Sequence, residues 1–268
     1  MPIGHAVKIL PFPAREAASP HAGYRRAIVA TVGDLEAITS ESLAKFAGDL
    51  RQLRSAVLVT MEDQPSRANA ILRTMTRIGG AVDQWALDGG AHVRHGMDVA
   101  EERARTLTGE WVQRLSQFSD GRISASQAGG LPGGLIGVSK ENLEALKVAA
   151  GEHVKEVGEE IKRKVAAQAR SAALGLISPQ EAMSGVAEFI KPIRVPIRRG
   201  GKVVGRRYIG VMARAEQITR TEVGRAFTTA SQYHQEDVAK QIPGLLKEWI
   251  PVVDGKTRNN HAKMLGKR

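Results

Sequence analysis

From Tyr24 to Glu62 apolar residues return every three or four positions, with Phe46, Leu50, Leu53, Val57 and Met61 in one row; that period puts them on one face of a helix. Pro65 predicts its end. A second stripe follows in Ala68, Ile71, Met75, Ile78, Val82 and Trp85. Asp88-Gly89-Gly90 predicts a break there, because paired glycines give up helix propensity and favour turns. A third stripe, Val93, Met97, Ala100, Ala104, Leu107, Trp111, Leu115 and Phe118, has the near-heptad spacing of antiparallel bundles. The Met and Trp residues in these rows read as core, not as ligands.

Periodicity is lost from Ser119 to Val138, SDGRISASQAGGLPGGLIGV, a Gly- and Ser-rich run that reads as a hinge between two halves. It lacks the Gly-Lys-Ser/Thr triplet that lets a glycine loop hold phosphate and magnesium. Ser139 then reads as a helix N-cap, with Glu141 in the first turn complementing the dipole. Leu143, Leu146, Ala150, Val154, Val157, Ile161 and Val165 line the helix that follows, to about Leu174, with Gly175 as its stop. Ser178-Pro179-Gln180-Glu181 restarts a short helix in capping order.

Between Lys191 and Val211 the character changes. Two β-prone runs flank Gly200-Gly201, a pair suited to a tight hairpin turn, and Pro192 and Pro196 confine the first run to an edge. Lys191, Arg194, Arg198, Arg199, Lys202, Arg206 and Arg207 crowd here with no acid before Glu216. They suit either a sugar-phosphate backbone or an acidic protein surface; a solvated edge whose charges prevent aggregation is the alternative. The next helix is expected over about Met212 to Gln241. On it Glu216 and Arg220 are four apart and Glu222 and Arg225 three apart, both spacings that pair, while Ala226, Thr229 and Ala230 are small enough for close approach by another element. Lys247 to Val253, around Trp249, predicts a short strand able to pair with the hairpin, and Asp254-Gly255 a turn.

Composition narrows the class. At 268 residues the chain can bury a sizeable core, and with only 4% aromatic residues that core must be Ala, Leu, Ile and Val, which favours packed helices. The expected fold is mainly α: an N-terminal helical bundle and a C-terminal α+β module of long helices with a small hairpin. An extended arm is expected over residues 1–20, the helical domain over 21–118, the linker over 119–138 and the second module over 139–268. No apolar run approaches the ~20 residues that span a bilayer, and the prolines of the first residues do not suit a signal peptide, so a soluble protein made in the cytosol is expected. The sequence holds no cysteine, hence no disulfide framework and no thiolate metal site. A net charge of +11 points to a polyanionic neighbour, nucleic acid before membrane.

One ordered set of motifs carries a resemblance. Arg220-Thr221-Glu222 is followed by Arg225-Ala226-Phe227 and a run of small residues. Lys247-Glu248-Trp249 comes next, then Asp254-x-x-Thr257-Arg258-x-x-His261. In this order and spacing the last third of the chain resembles the head morphogenesis, or minor head, proteins of tailed phages (the Mu F-like domain). Gly175-Leu-Ile-Ser-Pro-Gln-Glu-Ala looks like that family's short helix-opening segment. A departure is the tail, often with paired cysteines, that family members usually carry beyond this point. The resemblance implies a structural virion protein, placed in the head interior near the portal vertex and assembled in the host cytoplasm; because no serine or cysteine nucleophile is marked by context and no HExxH or DxD pattern appears, neither catalysis nor a cofactor or metal is expected. It would stand in several copies around the portal, contacting portal protein and, non-specifically, phage DNA, with a major capsid or scaffold protein as a further candidate partner.

The residues leave alternatives beside this. Arg220, Glu222 and Arg225 can pin their helix to the Asp254–His261 segment, since the arginine fork holds a carboxylate in fixed orientation. Asp254 and His261 can instead share a divalent ion, though two ligands make an incomplete site. Asp254, His261 and Glu222 together suggest a nuclease or toxin-like domain acting on a phosphodiester. A simple DNA-binding protein is the third reading. His92 and His95, three apart, are read as lacking carboxylate support.

Overall fold

A computed structural model describes residues 20–62, 68–118 and 137–241. Four long helices make the body: α1 (Pro20–Glu62), α2 (Ala68–Phe118), α3 (Gly137–Ala173) and α5 (Val211–Gln241). Between the last two come a short helix, α4 (Pro179–Ile190), and a hairpin of β1 (Ile193–Arg199) and β2 (Lys202–Ile209). The fold is thus mainly α with one small antiparallel sheet. Among the described residues no helix is long and apolar enough to cross a membrane. The arm over residues 1–19 and most of the Gly/Ser-rich run lie outside the described residues. Helix α1 opens at Pro20, four residues before the expected start, with proline at a first position it suits.

Cross-helix contacts give the directions. Arg103 faces Asp34 at 2.8 Å while His92 meets Asp49, so α1 and α2 run antiparallel. Lys147 meets Asp98 and Lys162 meets Asp83, which makes α2 and α3 antiparallel. Arg214 reaches Glu160 and Asn142 reaches Tyr233, so α5 runs against α3. The result is an up-down-up-down bundle. Its core is one cluster: Phe46, Leu50 and Val57 of α1 pack with Val82, Trp85, Val93 and Met97 of α2. Leu143, Val154, Val157 and Ile161 of α3 and Met212, Ala215, Ala226 and Ala230 of α5 complete it. The first two helices and the last two therefore share a single interior. Apart from Phe46, Trp85 and Tyr208, aliphatic and alanine side chains fill it, as the low aromatic content requires.

The expected break at Gly89-Gly90 does not occur. Helix α2 runs through it for 51 residues, about 76 Å at 1.5 Å per residue. The glycines serve close packing instead. A Cβ on Gly89 would lie 2.4 Å from the buried ring of Phe46 and 3.2 Å from Val154, and one on Gly90 would lie 3.5 Å from the Cα of Gly151. A glycine inside a helix costs about 0.5–1 kcal/mol; here Phe46 and α3 occupy the space it leaves. Phe46 meets Trp85 edge to face with centroids 5.8 Å apart.

Helix α3 starts at Gly137, two residues before the expected cap at Ser139, and ends as its sequence directs. Gly175 takes φ +70°, its N–H donates to the Ala172 carbonyl and that of Leu176 to the Ser171 carbonyl, the paired bonds of a Schellman stop. The restart follows at once. The Glu181 N–H donates to Ser178 Oγ (3.1 Å) and the Ser178 N–H to the Glu181 carboxylate (2.7 Å), with Pro179 at the first helical position. The bond from the Ser178 backbone, then that from its side chain, holds the Glu181 carboxyl below its ordinary pKa.

Candidate functional site: a basic ribbon on a signature helix

The hairpin turn is fixed by Gly200 and Gly201, at φ +55° and +78°. Positive φ at both central residues makes the two-residue connection whose twist matches that of the strands. Arg199 pairs with Lys202, Arg198 with Val203, and then Ile197 with Gly205, so β2 carries one extra residue, Val204, in a bulge. Both strands are edges, and Pro196 is accommodated. At the base Tyr208 is buried, its ring beneath the Arg194 guanidinium (4.5 Å). Its backbone N–H donates to Glu216 of α5 at 3.4 Å. Gly210, at φ +64°, turns the chain into that helix.

Arg194, Arg198, Arg199, Lys202, Arg206 and Arg207 are all exposed on this ribbon. Among the described residues none of the six ion-pairs with a carboxylate. Lys191 differs from its expected state: the hairpin interior holds no acid, but Glu188, in the last turn of α4, pairs with it at 3.1 Å.

On α5, the signature helix in that it carries the Arg220-to-Arg225 motif, Arg220 pairs with Glu216 at 3.1 Å and Arg225 bonds both oxygens of Glu222 at 3.2 Å, as their spacings predict. The two pairs differ in depth. Glu222 is 3% exposed while the Arg220–Glu216 pair is shallower. Thr221 is exposed beside them, whereas Thr219 is buried and returns its hydroxyl to the Ala215 carbonyl. Ala226 and Ala230 lie in the core and Thr229 is half-buried, the close approach their size allows. Trp249, Asp254, Thr257, Arg258 and His261 lie outside the described residues. So do the expected strand from Lys247 to Val253, the pinning of the helix to the closing segment, and the possible metal or catalytic pairing of Asp254 with His261. Among the described residues no three His, Cys, Asp or Glu side chains gather closely enough to hold a metal ion.

Three polar features escape a reading by motif. Lys147 is buried between α2 and α3, its ammonium 2.6 Å from Asp98, 2.8 Å from Glu144 and 3.4 Å from Glu101. Burial alone would lower its pKa, but the bonds to Asp98 and Glu144 and the charges of Asp98 and Glu101 outweigh that and raise it. His234 is buried on α5, and its Nε2 and the Ser231 hydroxyl one turn earlier have no hydrogen-bond partner among the described residues. Burial and then the nearby Arg105 charge lower its pKa, against the opposing pull of Glu101, Asp237 and Glu102. His92, contrary to expectation, has a carboxylate: its Nε2 is 2.7 Å from Asp49. The signal for the first two was present in the stripes. Lys147 stands four after Leu143 and three before Ala150, and His234 four after Ala230, so both occupy core-facing positions.

Compared with known proteins, the chain matches no family model, no curated protein and no solved structure.

Proposed function

We propose that this chain is a structural minor head protein of a tailed phage, without catalytic activity of its own. In this reading it is assembled in the host cytoplasm and stands in several copies at the portal vertex, on the capsid interior. The helical body offers a rigid assembly surface toward portal protein, and toward a major capsid or scaffold protein. The basic ribbon faces the genome or the portal. Its task is head assembly, DNA packaging or DNA delivery. Portal, genome and head interior rest on the resemblance of the ordered Arg220-to-His261 motifs.

The observation that supports the reading best is the ribbon itself, an exposed set of cations held out from a packed body by the signature helix. Such an excess attracts a polyanion without the need for a pocket. Co-purification with the portal protein of the same particle tests the proposal. Enrichment well above that of an unrelated basic protein is expected, and equal recovery overturns it. Incubation with plasmid DNA and magnesium or manganese tests the competing phosphodiesterase reading, and cleavage abolished by His261→Ala would replace the structural role with a catalytic one.

A further inference from the structure

The geometry points to the β1–β2 ribbon as a tip-first probe of the major groove of double-stranded DNA, its cations gripping phosphates on both groove walls with little dependence on sequence. This deepens the genome-facing part of the reading above and rests on it only for the presence of DNA.

Charge distribution is the first support. The pairing register puts Arg194 and Arg206 on one face of the ribbon, because Arg194 lies opposite Tyr208 and Arg206 opposite Pro196; Arg198 follows on the same side of β1. Arg207, opposite Val195, and the Arg199–Lys202 pair fall on the other face. The cations therefore divide three and three. A ribbon lying flat on an acidic surface would use one face, whereas one inserted between two rows of phosphates uses both.

Dimensions are the second. Two strands about 4.8 Å apart, with side chains on both faces giving a layer about 10 Å thick, match a major groove about 12 Å wide and exceed a minor groove of about 6 Å. The major groove of A-form RNA is too narrow and deep to admit such an element. At the leading end Gly200 and Gly201 have no side chain and open space around them, so backbone can approach the bases. Just behind stand Val203 and Val204, 55% and 59% exposed, apolar groups of the kind that touch thymine methyls. The base is held by the buried Tyr208 and by its bond to Glu216, so the ribbon is presented at a fixed angle from α5.

Fluorescence anisotropy of the full-length protein on a short random-sequence duplex, titrated between about 50 and 200 mM salt, tests this. The four cations nearest the tip, Arg198, Arg199, Lys202 and Arg206, give four phosphate contacts and a slope of log affinity on log salt of about −4, and R199Q/K202Q should flatten it by about 2. At low salt the same variant should lose at least tenfold in affinity, with an unchanged circular dichroism melt. If that variant does not fold, R198Q/R206Q, which strips one face, must show the same flattening; the charge-preserving R199K/K202R must bind as wild type. An unaltered slope in the folded glutamine variants overturns the inference. So does binding to double-stranded RNA or to polyglutamate as tight as to the DNA duplex, the latter meaning an acidic protein partner. Loss of this inference with portal co-purification intact leaves the structural reading standing, and the reverse pattern leaves only a DNA-binding ribbon.

Discussion

In the helical body cations at the helix seams are each met by at least one carboxylate from another helix, with Glu144 and Glu159 added from the same helix as Lys147 and Lys162. Lys147 is held by Asp98, Glu101 and Glu144, Lys162 by Asp83 and Glu159, and Arg214 by Glu156 and Glu160. On the ribbon six cations stand in solvent with no such partner among the described residues. The same residue types thus serve opposite ends. Paired across an interface they set which turn of one helix lies against which turn of the next; unpaired on a narrow projection they leave their field for something outside the chain. Exposed ion pairs stabilise by less than about 1 kcal/mol each, so the body's strength must come from its apolar cluster.

The contrast can be tested from both sides. Phe46→Ala, which empties the space against Trp85 and Gly89, should cost about 3–5 kcal/mol in denaturant unfolding; a loss under about 1 kcal/mol would show that the body is held otherwise. Lys147→Met should cost about 1.5–3 kcal/mol, since it removes a charged donor from facing acids. Because the folded pKa of Lys147 is raised, its contribution is full below the unfolded lysine value and is lost only as pH rises through the folded one. The difference between wild type and variant should therefore stay level from pH 5 to 9, a window that ends more than about one unit below the unfolded lysine value of about 10.4.

Two glycines of α2 should respond with opposite sign. Gly89→Ala forces a methyl into Phe46 and Val154, an overpacking cost of about 1–3 kcal/mol that exceeds the helix gain. Gly79→Ala meets nothing within 4 Å and should stabilise by about 0.5–1 kcal/mol; thermal melts of both decide it. A smaller effect is expected at His234. Its folded pKa lies below the unfolded one, so as pH falls the unfolded chain takes up the proton first. Stability should then drop from about the unfolded histidine value of 6.5 downward, until the folded group also titrates. His234→Leu should remove that part of the acid sensitivity, and an unchanged pH profile would rule it out. Smallest of all, neutralising Arg206 and Arg207 should shift the melt by no more than about 0.5 kcal/mol, because they support nothing inside the body.

Much of this architecture was legible in advance for a local reason. The α3 stop at Gly175, the Ser178–Glu181 capping box and the Gly200-Gly201 turn each depend on residues within a few positions of one another, and the stripes from Phe46 to Val165 report a face directly. What could not be read locally was the partner of a face. Gly89-Gly90 looks like a break until Phe46 and Gly151 are known to press against it. His92 looks unsupported until α1 brings Asp49 across, 43 positions away. Of the site, the hairpin and the two ion pairs of the signature helix followed from spacing. The absence of ion pairs on the ribbon among the described residues, and the even division of its charges between two faces, required the register.

Arg54 of α1 donates from Nε to the carbonyl of Ala187 at 3.1 Å. That carbonyl belongs to the last turn of α4, where the helix supplies no N–H donors of its own for its carbonyls, and α4 leads straight into β1. The opening helix therefore closes the segment from which the ribbon springs. Any event that peels α1 away, whether a protease cut or a partner competing for its inner face, would also loosen the mounting of the basic projection, so α1 and the ribbon are not released independently.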